Sequence, residues 1–364
     1  MTNNLNNSRN NKLFLIIISI FISFIVTLIF LYLKKYKKVD GIVKEIWIYP
    51  IKSTKGIQLT SAKVGPMGFL YDRLFVIVDQ KKRFISQRTH SKLALLETSF
   101  SKPNLLTVKT PDGESVDIPL EEPPTPYEVH DISIWNDICE GIDMGDDVAK
   151  LINTFLGTGQ EMRLMRIPDN YERKTDRVYS KDGRTGFADG FPFLILSKAS
   201  VEQLLKSVKF PFQNNNNQNN DNDSDNNNNS LSALNFRPNI VFDKCPAFAE
   251  DTWKEITISS NPKSKSKVKS NITLTIVKPC SRCKMPNVNP NTGEYLPRSN
   301  GSGESYYVSD ALETFRTGEI LKFYPKGEEK NETNKWAKKV FFGQNAEHKG
   351  NGVISVGDIV YVQK

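Results

Sequence analysis

The segment Pro279-Cys280-Ser281-Arg282-Cys283 places two thiols three residues apart. A structural zinc site needs four Cys or His ligands, usually in two pairs, and the sequence offers no second pair. A thioredoxin-like dithiol opens a helix, whereas this pair precedes a segment rich in turn-forming residues. A single thiolate could instead bind a soft metal, with Arg282 and the nearby amides favouring the thiolate form. On spacing alone, these three interpretations compete.

Four further polar side chains stand at the ends of predicted strands. Lys52 and Ser53 follow the first strand, Arg73 opens the second, and Arg237 lies in the segment Asn-Phe-Arg-Pro-Asn. Each one alone is most often a solvated or surface-paired group. Together they could bind an anion, because arginine presents a planar fork to phosphate and lysine a point charge. The spacing does not establish that they meet.

Short strands must carry most of these residues. Runs of β-branched and aromatic residues, separated by Gly, Pro and Asp, are typical of an antiparallel or barrel-like sheet. The predicted strands are residues 39–50, 73–79, 105–109, 116–120, 239–242, 272–277, 320–324 and 352–363. The strand at 272–277 alternates apolar and polar residues and runs directly into Cys280.

Two helices are predicted between the strands. The first covers residues 147–156, where apolar residues recur at the spacing i, i+3, i+4, i+7 and Gly157 marks the end. The second begins near Ser197. Two polar segments are predicted to be loop insertions, and the first of them cannot bury enough apolar surface to order itself. They are an Asn-rich disordered tract at 213–230 and a hairpin tip at 261–271.

A stretch of 21 uncharged residues from Leu13 to Leu33 predicts a transmembrane helix, since a helix of that length spans roughly 30 Å. Arg9 and Lys12 precede it and four lysines follow it. The basic excess after the helix predicts a single pass with the large C-terminal part in the cytosol. The 364-residue chain has a net charge of +8, of which residues 1–38 supply six charges. The rest is nearly neutral, which excludes bulk charge as an argument for nucleic-acid binding.

From Val43 onward the sequence resembles the MOSC-domain proteins, and specifically the mitochondrial amidoxime-reducing components. Blocks in the same order carry the resemblance: WIYPIKSTKG at 47–56, GFLYDRLFVIVD at 68–79, PFLILSKASV at 192–201, NFRPNIVF at 235–242, AEDTW at 249–253, CSRC at 280–283 with NPNTGE at 289–294, FGQN at 342–345, and the closing VGDIVYV.

The resemblance implies an α+β, mostly β fold, in which a MOSC β-barrel core carries an interposed N-terminal MOSC-type domain and is preceded by one transmembrane helix. The expected parts are a tail and membrane anchor at 1–38, the first MOSC strands with the N-terminal domain at 39–180, and the MOSC domain at 181–364. The expected location is the outer mitochondrial membrane.

The resemblance also implies a molybdenum cofactor, which is a pterin dithiolene with a terminal phosphate. Cys283 corresponds to the thiolate ligand of the metal, and Cys280 would be a buried thiol that does not bind it. The expected cofactor-binding residues are Lys52, Ser53, Arg73, Arg237, Ser281 and Arg282. Asp189 matches an acidic position near the metal and could place a proton on the leaving oxygen.

The expected activity is reduction of small N-hydroxylated compounds, namely amidoximes, hydroxylamines and hydroxamic acids, to their N–H counterparts. The chain has no Gly-rich nicotinamide or flavin fingerprint, so its electrons must come from elsewhere. By resemblance the donors are cytochrome b5 and its NADH-dependent reductase, which a shared lipid bilayer would bring close. The alternatives are a sulfur carrier, as in the MOSC part of molybdenum cofactor sulfurases, and a protein that binds the cofactor without catalysis.

Overall fold

Short strands dominate the computed structural model, which describes residues 39–208, 231–262, 271–296, 308–324 and 336–363. The strands in these residues are β1 Gly41–Ile48, β2 Ile57–Leu59, β3 Ser61–Gly65, β4 Gly68–Phe69, β5 Phe75–Val78, β6 Glu97–Lys102, β7 Leu105–Lys109, β8 Ser115–Pro119, β9 Val129–Ile134, β10 Asp137–Asp143, β11 Arg163–Arg166, β12 Phe193–Ser197, β13 Ile240–Asp243, β14 Glu255–Ser259, β15 Asn271–Ser281, β16 Phe341–Lys349, β17 Gly352–Ser355 and β18 Ile359–Gln363. The α-helices are α1 Asp146–Leu156, α2 Lys198–Leu205 and α3 Val308–Glu313.

The largest sheet closes into a barrel. Strand β1 pairs with both β13 and β18. This double pairing joins seven of the described strands into a ring in the order β1, β13, β12, β16, β15, β14, β18. Closure leaves no free edge in the ring, and β2 pairs with the far half of β1. Fully buried side chains such as Val43, Ile258 and Leu274 fill the interior. The barrel is the scaffold on which the candidate site stands.

Smaller sheets pack outside the barrel. Strands β5, β11, β10 and β9 form a four-stranded sheet, and β6, β7 and β8 form a three-stranded one. A second core, including Phe75, Ile132 and Leu164, holds these strands to α1. Strand β17 pairs with β3, and β3 with β4. The isolated bridge between Ile51 and Phe75 connects the turn after β1 to β5.

Both predicted helices are confirmed. Helix α1 begins after Gly145 and ends at Gly157, whose left-handed conformation (φ 60°) stops it as the sequence predicts. Its buried residues include Val148 and Ile152, at the predicted apolar positions. Helix α2 begins after Ser197, whose side chain accepts a hydrogen bond from the backbone N–H of Ser200.

The strand predicted at 320–324 is wrong. Its backbone amides bond to nearby residues of the same turn instead of to a neighbouring strand: Leu321 N–H donates to the carbonyl of Thr317, and Phe323 N–H to that of Gly318. A predicted single strand at 352–363 is two strands, because a turn at Gly357 (φ 89°) separates β17 from β18. Strand β16 was not predicted from periodicity.

The predicted fold class needs one correction, which concerns the membrane helix. Among the residues that the structure describes, no helix combines the length and the apolar character that crossing a membrane requires. The mostly β class with a barrel stands, and the described residues do not support a preceding transmembrane helix. The segment predicted to form that helix, residues 13–33, lies outside the described residues.

The predicted insertion at 213–230 and most of the one at 261–271 also lie outside the described residues. The second joins β14 to β15, which pair antiparallel up to Ser259 opposite Asn271.

Candidate functional site

A cleft open to solvent lies at one end of the barrel. The turn after β1, the loops before β12 and β13, and the end of β15 meet there. The residues that the sequence singles out all line this cleft, together with Cys280: Lys52, Ser53, Arg73, Asp189, Arg237, Ser281, Arg282 and Cys283. The structure thus brings together residues that are up to 231 positions apart in the sequence.

Backbone conformation shapes the cationic wall of the cleft. Ser53, Arg73 and Arg237 adopt left-handed backbone conformations, with φ of 70°, 49° and 58°. Residues with a Cβ rarely adopt this conformation, and such strain concentrates at functional sites. Hydrogen bonds hold two of these residues in place. The N–H of Arg73 donates to the carbonyl of Tyr49 at 2.9 Å, and the side-chain amide of Gln87 donates to the carbonyl of Ser53 at 2.8 Å.

The carboxylate of Asp72 organises this wall from behind. It is buried and accepts hydrogen bonds from the backbone N–H of Tyr49 at 2.8 Å, from Arg73 Nη1 at 2.6 Å and from Asn239 Nδ2 at 3.0 Å. The bond to Arg73 neutralises its charge. The other two bonds connect Tyr49, directly after β1, to Asn239, directly before β13. Asp72 therefore fixes the direction in which the Arg73 side chain points.

Arg237 is half-buried and has an unused hydrogen-bond donor. Its Nη1 donates to the carbonyl of Thr54 at 2.6 Å, but Nη2 is buried and has no hydrogen-bond partner in the described part of the chain. Burial lowers the pKa of Arg237 to about 10, against the raising effect of Tyr49. An anion in the cleft would satisfy both the free donor and the charge.

Lys52 and Asp189 form an ion pair across the cleft. The Nζ of Lys52 lies 2.5 Å from Asp189 Oδ1, and the indole N–H of Trp135 donates to the same oxygen at 2.9 Å. Burial lowers the pKa of Lys52, and Asp189 only partly offsets this. Burial would raise the pKa of Asp189, but the charge and hydrogen bond of Lys52, with the Trp135 bond, hold it below the usual carboxyl range. Asp189 is thus a carboxylate at neutral pH.

The two cysteines occupy different environments. The Sγ of Cys280 is half-buried and accepts a hydrogen bond from Arg282 Nη1 at 2.9 Å, and Arg282 Nη2 donates to the carbonyl of Phe236 at 2.6 Å. Cys283 is exposed, and its Sγ accepts the backbone N–H of Met285 at 3.5 Å. The Arg282 guanidinium therefore faces the thiol of Cys280, and Cys283 is the more accessible of the two.

The residues present fit an anionic cofactor that needs one soft ligand. The Nε of Arg282 is buried without a partner, as is Nη2 of Arg237, so two donors in the cleft lack an acceptor within the described ranges. Cys283 offers a thiol at the surface of the same cleft. No group of three or more His, Cys, Asp or Glu that could hold a metal ion by itself occurs among the described residues.

Sequence reasoning missed Trp135 and Arg173. Each acts only through a contact that forms in the folded chain: Trp135 with Asp189, and Arg173 with the carbonyl of Ala188. Neither residue lies in a quoted motif. Tyr49 and Asp72 do lie in such blocks, as neighbours of the singled-out Lys52 and Arg73, and this proximity is the signal that could have found them.

Two family models match the chain. The one described as "MOSC N-terminal beta barrel domain" matches residues 40–159, and the one described as "MOSC domain" matches residues 182–361. The second includes Asp189, Arg237 and the CSRC segment, whereas Lys52, Ser53 and Arg73 fall in the first. Both matched regions thus contribute to the cleft.

Curated relatives are similar over most of the chain. "Mitochondrial amidoxime-reducing component 1" of Mus musculus is 28% identical over 334 residues, covering 88% of this chain and 82% of that protein. The Homo sapiens protein of the same name is 29% identical over 331 residues, with 88% and 83% covered. "Molybdenum cofactor sulfurase" of Homo sapiens is 25% identical over 260 residues, which is 70% of this chain but 27% of that protein.

Proposed function

The chain belongs to the MOSC-domain proteins, and we propose that it is a molybdenum-cofactor-dependent reductase of N-hydroxylated compounds. Amidoximes, hydroxylamines and hydroxamic acids are the proposed substrates. The observation that carries the proposal is the convergence of Lys52, Arg73, Arg237 and Cys283 on one cleft that retains unpaired, buried guanidinium donors. The similarity to amidoxime-reducing components over 88% of the chain supports it.

The cationic wall would hold the anionic end of the cofactor. Lys52 supplies a point charge, and Arg73 and Arg237 supply planar forks whose positions Asp72 and the carbonyl of Thr54 fix. Ser53, Ser281 and Arg282 would complete the cradle. Because Nη2 of Arg237 is already buried without a partner, an anion that bonds to it would satisfy an unused donor.

Cys283 would supply the protein's ligand to the metal. Its thiol is exposed in the cleft and accepts one backbone N–H, which leaves further sulfur lone pairs free to bind. When bound, the cofactor supplies a two-electron centre that removes oxygen from the substrate nitrogen.

Asp189 and Lys52 would take part in proton transfer, since the reduction consumes two protons for each water released. Asp189 is ionised at neutral pH and carries no proton of its own, because Lys52 and Trp135 stabilise its charge. The ammonium of Lys52, whose pKa burial lowers, is the better donor of the pair. In this proposal the ammonium of Lys52 is the proton source for the leaving oxygen, and the carboxylate of Asp189 accepts a hydrogen bond from the substrate.

Electrons would come from a separate protein. Cytochrome b5 and its NADH-dependent reductase are the proposed donors. The names of these relatives support a mitochondrial location for this chain as well.

A sulfur carrier is the second candidate, favoured by the similarity to molybdenum cofactor sulfurase. The chain spans about a quarter of that protein, so the sulfurase activity as a whole does not transfer to it. A carrier would hold a persulfide on an exposed thiol such as Cys283, and it would not reduce amidoximes.

The first test is elemental analysis and pterin fluorescence on the full chain, produced in a host that makes molybdenum cofactor. Near-equal molybdenum and pterin per chain, followed by benzamidoxime reduction with cytochrome b5 and its reductase, is the expected result. Zinc without pterin would refute the cofactor assignment. Molybdenum and pterin without turnover would leave a non-catalytic binding protein, and persulfide on Cys283 by mass spectrometry would favour the carrier.

A further inference from the structure

We propose that Trp135 is a positioning residue for Asp189: its indole N–H fixes one carboxylate oxygen and leaves the other free to accept a hydrogen bond from the substrate. This inference rests on the proposed reductase function. Among the described residues, Oδ1 of Asp189 accepts from Trp135 and from Lys52, whereas Oδ2 has no hydrogen-bond partner. The carboxylate is therefore held at one oxygen only.

Trp135 occupies an unusual position for a large aromatic residue. It lies in the tight turn between β9 and β10 with φ of 58°, and 44% of its surface is exposed. Both features are unfavourable for folding alone, because the left-handed conformation is strained and the exposed ring buries little apolar surface. The two-residue hairpin turn accounts for the positive φ, and the bond to Asp189 gives the exposed ring a specific contact in the site.

The ring of Trp135 is also fixed in orientation. The guanidinium carbon of Arg88 lies 4.0 Å from the indole centroid, and the ring of Phe84 packs edge-on at 5.1 Å. Phe84 in turn lies 5.2 Å from the ammonium of Lys52. The two donors of Asp189 thus share one aromatic neighbour, so that their positions are coupled.

Arg173 joins the same two segments a second time. It is buried, and its Nη2 lies 2.5 Å from Asp137 Oδ2 at the start of β10, while its Nη1 donates to the carbonyls of Gly186 and Ala188. Arg173 therefore connects the hairpin that carries Trp135 to the loop that carries Asp189. This bridge gives the Trp135 N–H a fixed target.

The free oxygen suits the proposed substrates. A carboxylate only accepts hydrogen bonds, and every N-hydroxylated substrate offers an O–H or N–H donor. The charged groups that face Asp189 are Lys52 from the turn after β1, Arg73 from the turn before β5, and Arg237 from the loop before β13. All are cations, so they keep Asp189 in the acceptor form. Loss of the Trp135 donor removes part of that stabilisation.

The test compares Trp135→Phe, which keeps a ring but loses the N–H, with Trp135→His, which restores a ring N–H donor. Ile138→Ala, an exposed change on the same hairpin, is the control. In the holoenzyme, we expect Trp135→Phe to reduce kcat/KM for benzamidoxime about tenfold or more, the effect of losing one charge-assisted hydrogen bond. The acidic limb of the pH profile should move to higher pH. Trp135→His should recover most of the loss above pH 7.5.

A second measurement on the cofactor-free chain is independent of turnover. The indole ¹H–¹⁵N signal that Trp135→Phe removes should shift in Asp189→Asn. If that signal stays unchanged, or if Trp135→Phe keeps the wild-type kcat/KM and pH profile, the proposal is overturned. If the signal shifts but no N-hydroxylated compound is reduced, the pairing stands and the reductase function fails.

Discussion

The guanidinium of Arg73 donates a hydrogen bond to the main-chain carbonyl of Arg237 at 3.1 Å, so two cationic residues are held side by side at the cleft. The ring of Tyr49 lies 4.3 Å from the first guanidinium carbon and 4.1 Å from the second. Asp72 neutralises Arg73, whereas Arg237 has no ion-pair partner in the described ranges. Within the described residues, the half-buried guanidinium of Arg237 therefore has no ion-pair partner, which favours an anionic ligand.

We expect Arg237→Lys to bind the cofactor poorly although it preserves the charge. Lysine has no planar fork, so it cannot bond the carbonyl of Thr54 and an anion together as a guanidinium can. Molybdenum and pterin per chain should fall about tenfold, in line with the loss of one charge-assisted hydrogen bond. Arg163→Lys, whose side chain pairs with Asp143 outside the cleft, is the matched control. Equal occupancy in both variants would contradict the role of Arg237.

Cys283→Ala should abolish benzamidoxime reduction, and Cys280→Ala should retain most of it. Only Cys283 is exposed in the cleft, while the Sγ of Cys280 already accepts a hydrogen bond from Arg282. X-ray absorption on the molybdenum-loaded chain should lose one sulfur ligand in the first variant only. Full activity of Cys283→Ala would rule out the proposed ligand, and the reverse pattern would assign the role to Cys280.

The sequence predicted those structural features that depend on residues close together in the chain. Helix α1 followed from apolar spacing and a terminal glycine, and β7 from a run of β-forming residues, because both depend on neighbours in the chain. The failed strand at 320–324 is also rich in β-forming residues, but its backbone bonds to partners within one turn. Periodicity does not distinguish these outcomes.

The candidate site divides in the same way. Arg73 and Arg237 were singled out by residue type and motif, and the barrel brings them together. Trp135 and Arg173 gained their roles from contacts 54 and 15 residues away in the chain, with Asp189 and Ala188. Such pairings depend on the sheet register and on loop paths, which no local pattern encodes.

Asp189→Asn should destabilise the cofactor-free chain at pH 7 by about 1 kcal/mol, because it leaves the buried ammonium of Lys52 without its partner. The figure is small because 66% of the Asp189 side chain is exposed and solvent screens the pair. Lys52→Met removes the buried charge itself, so the double variant should recover most of the loss. Urea unfolding of the four proteins gives the coupling free energy.

The pH dependence of the same pair has a definite sign. Burial alone would raise the pKa of Asp189 in the folded chain, but Lys52 and Trp135 together lower it. Its contribution to stability is therefore fully present at pH 7 and is lost as the pH falls below about 4, the usual carboxyl pKa. The difference in unfolding free energy between wild type and Asp189→Asn should shrink between pH 6 and roughly pH 3. A difference that grows on acidification would contradict the ion pair.

Gly186→Ala should disturb the cleft from a distance. A Cβ at this position would lie 2.8 Å from the carbonyl oxygen of Arg73, which accepts the backbone N–H of Phe187. Because the obstacle is backbone, relief requires the Asp189 loop to move away from Arg73, and we expect about 1–3 kcal/mol of destabilisation. Gly190→Ala is the matched control, since nothing lies within 4 Å of its Cβ position.

Cofactor occupancy adds a second readout to the Gly186 comparison. If the loop and the cationic wall form one unit, Gly186→Ala should lower both the unfolding free energy of the cofactor-free chain and the molybdenum bound per chain. Gly190→Ala should change neither, although Gly190 lines the cleft. A Gly186→Ala protein that is destabilised yet binds the cofactor normally would show that the Asp189 loop and Arg73 act independently.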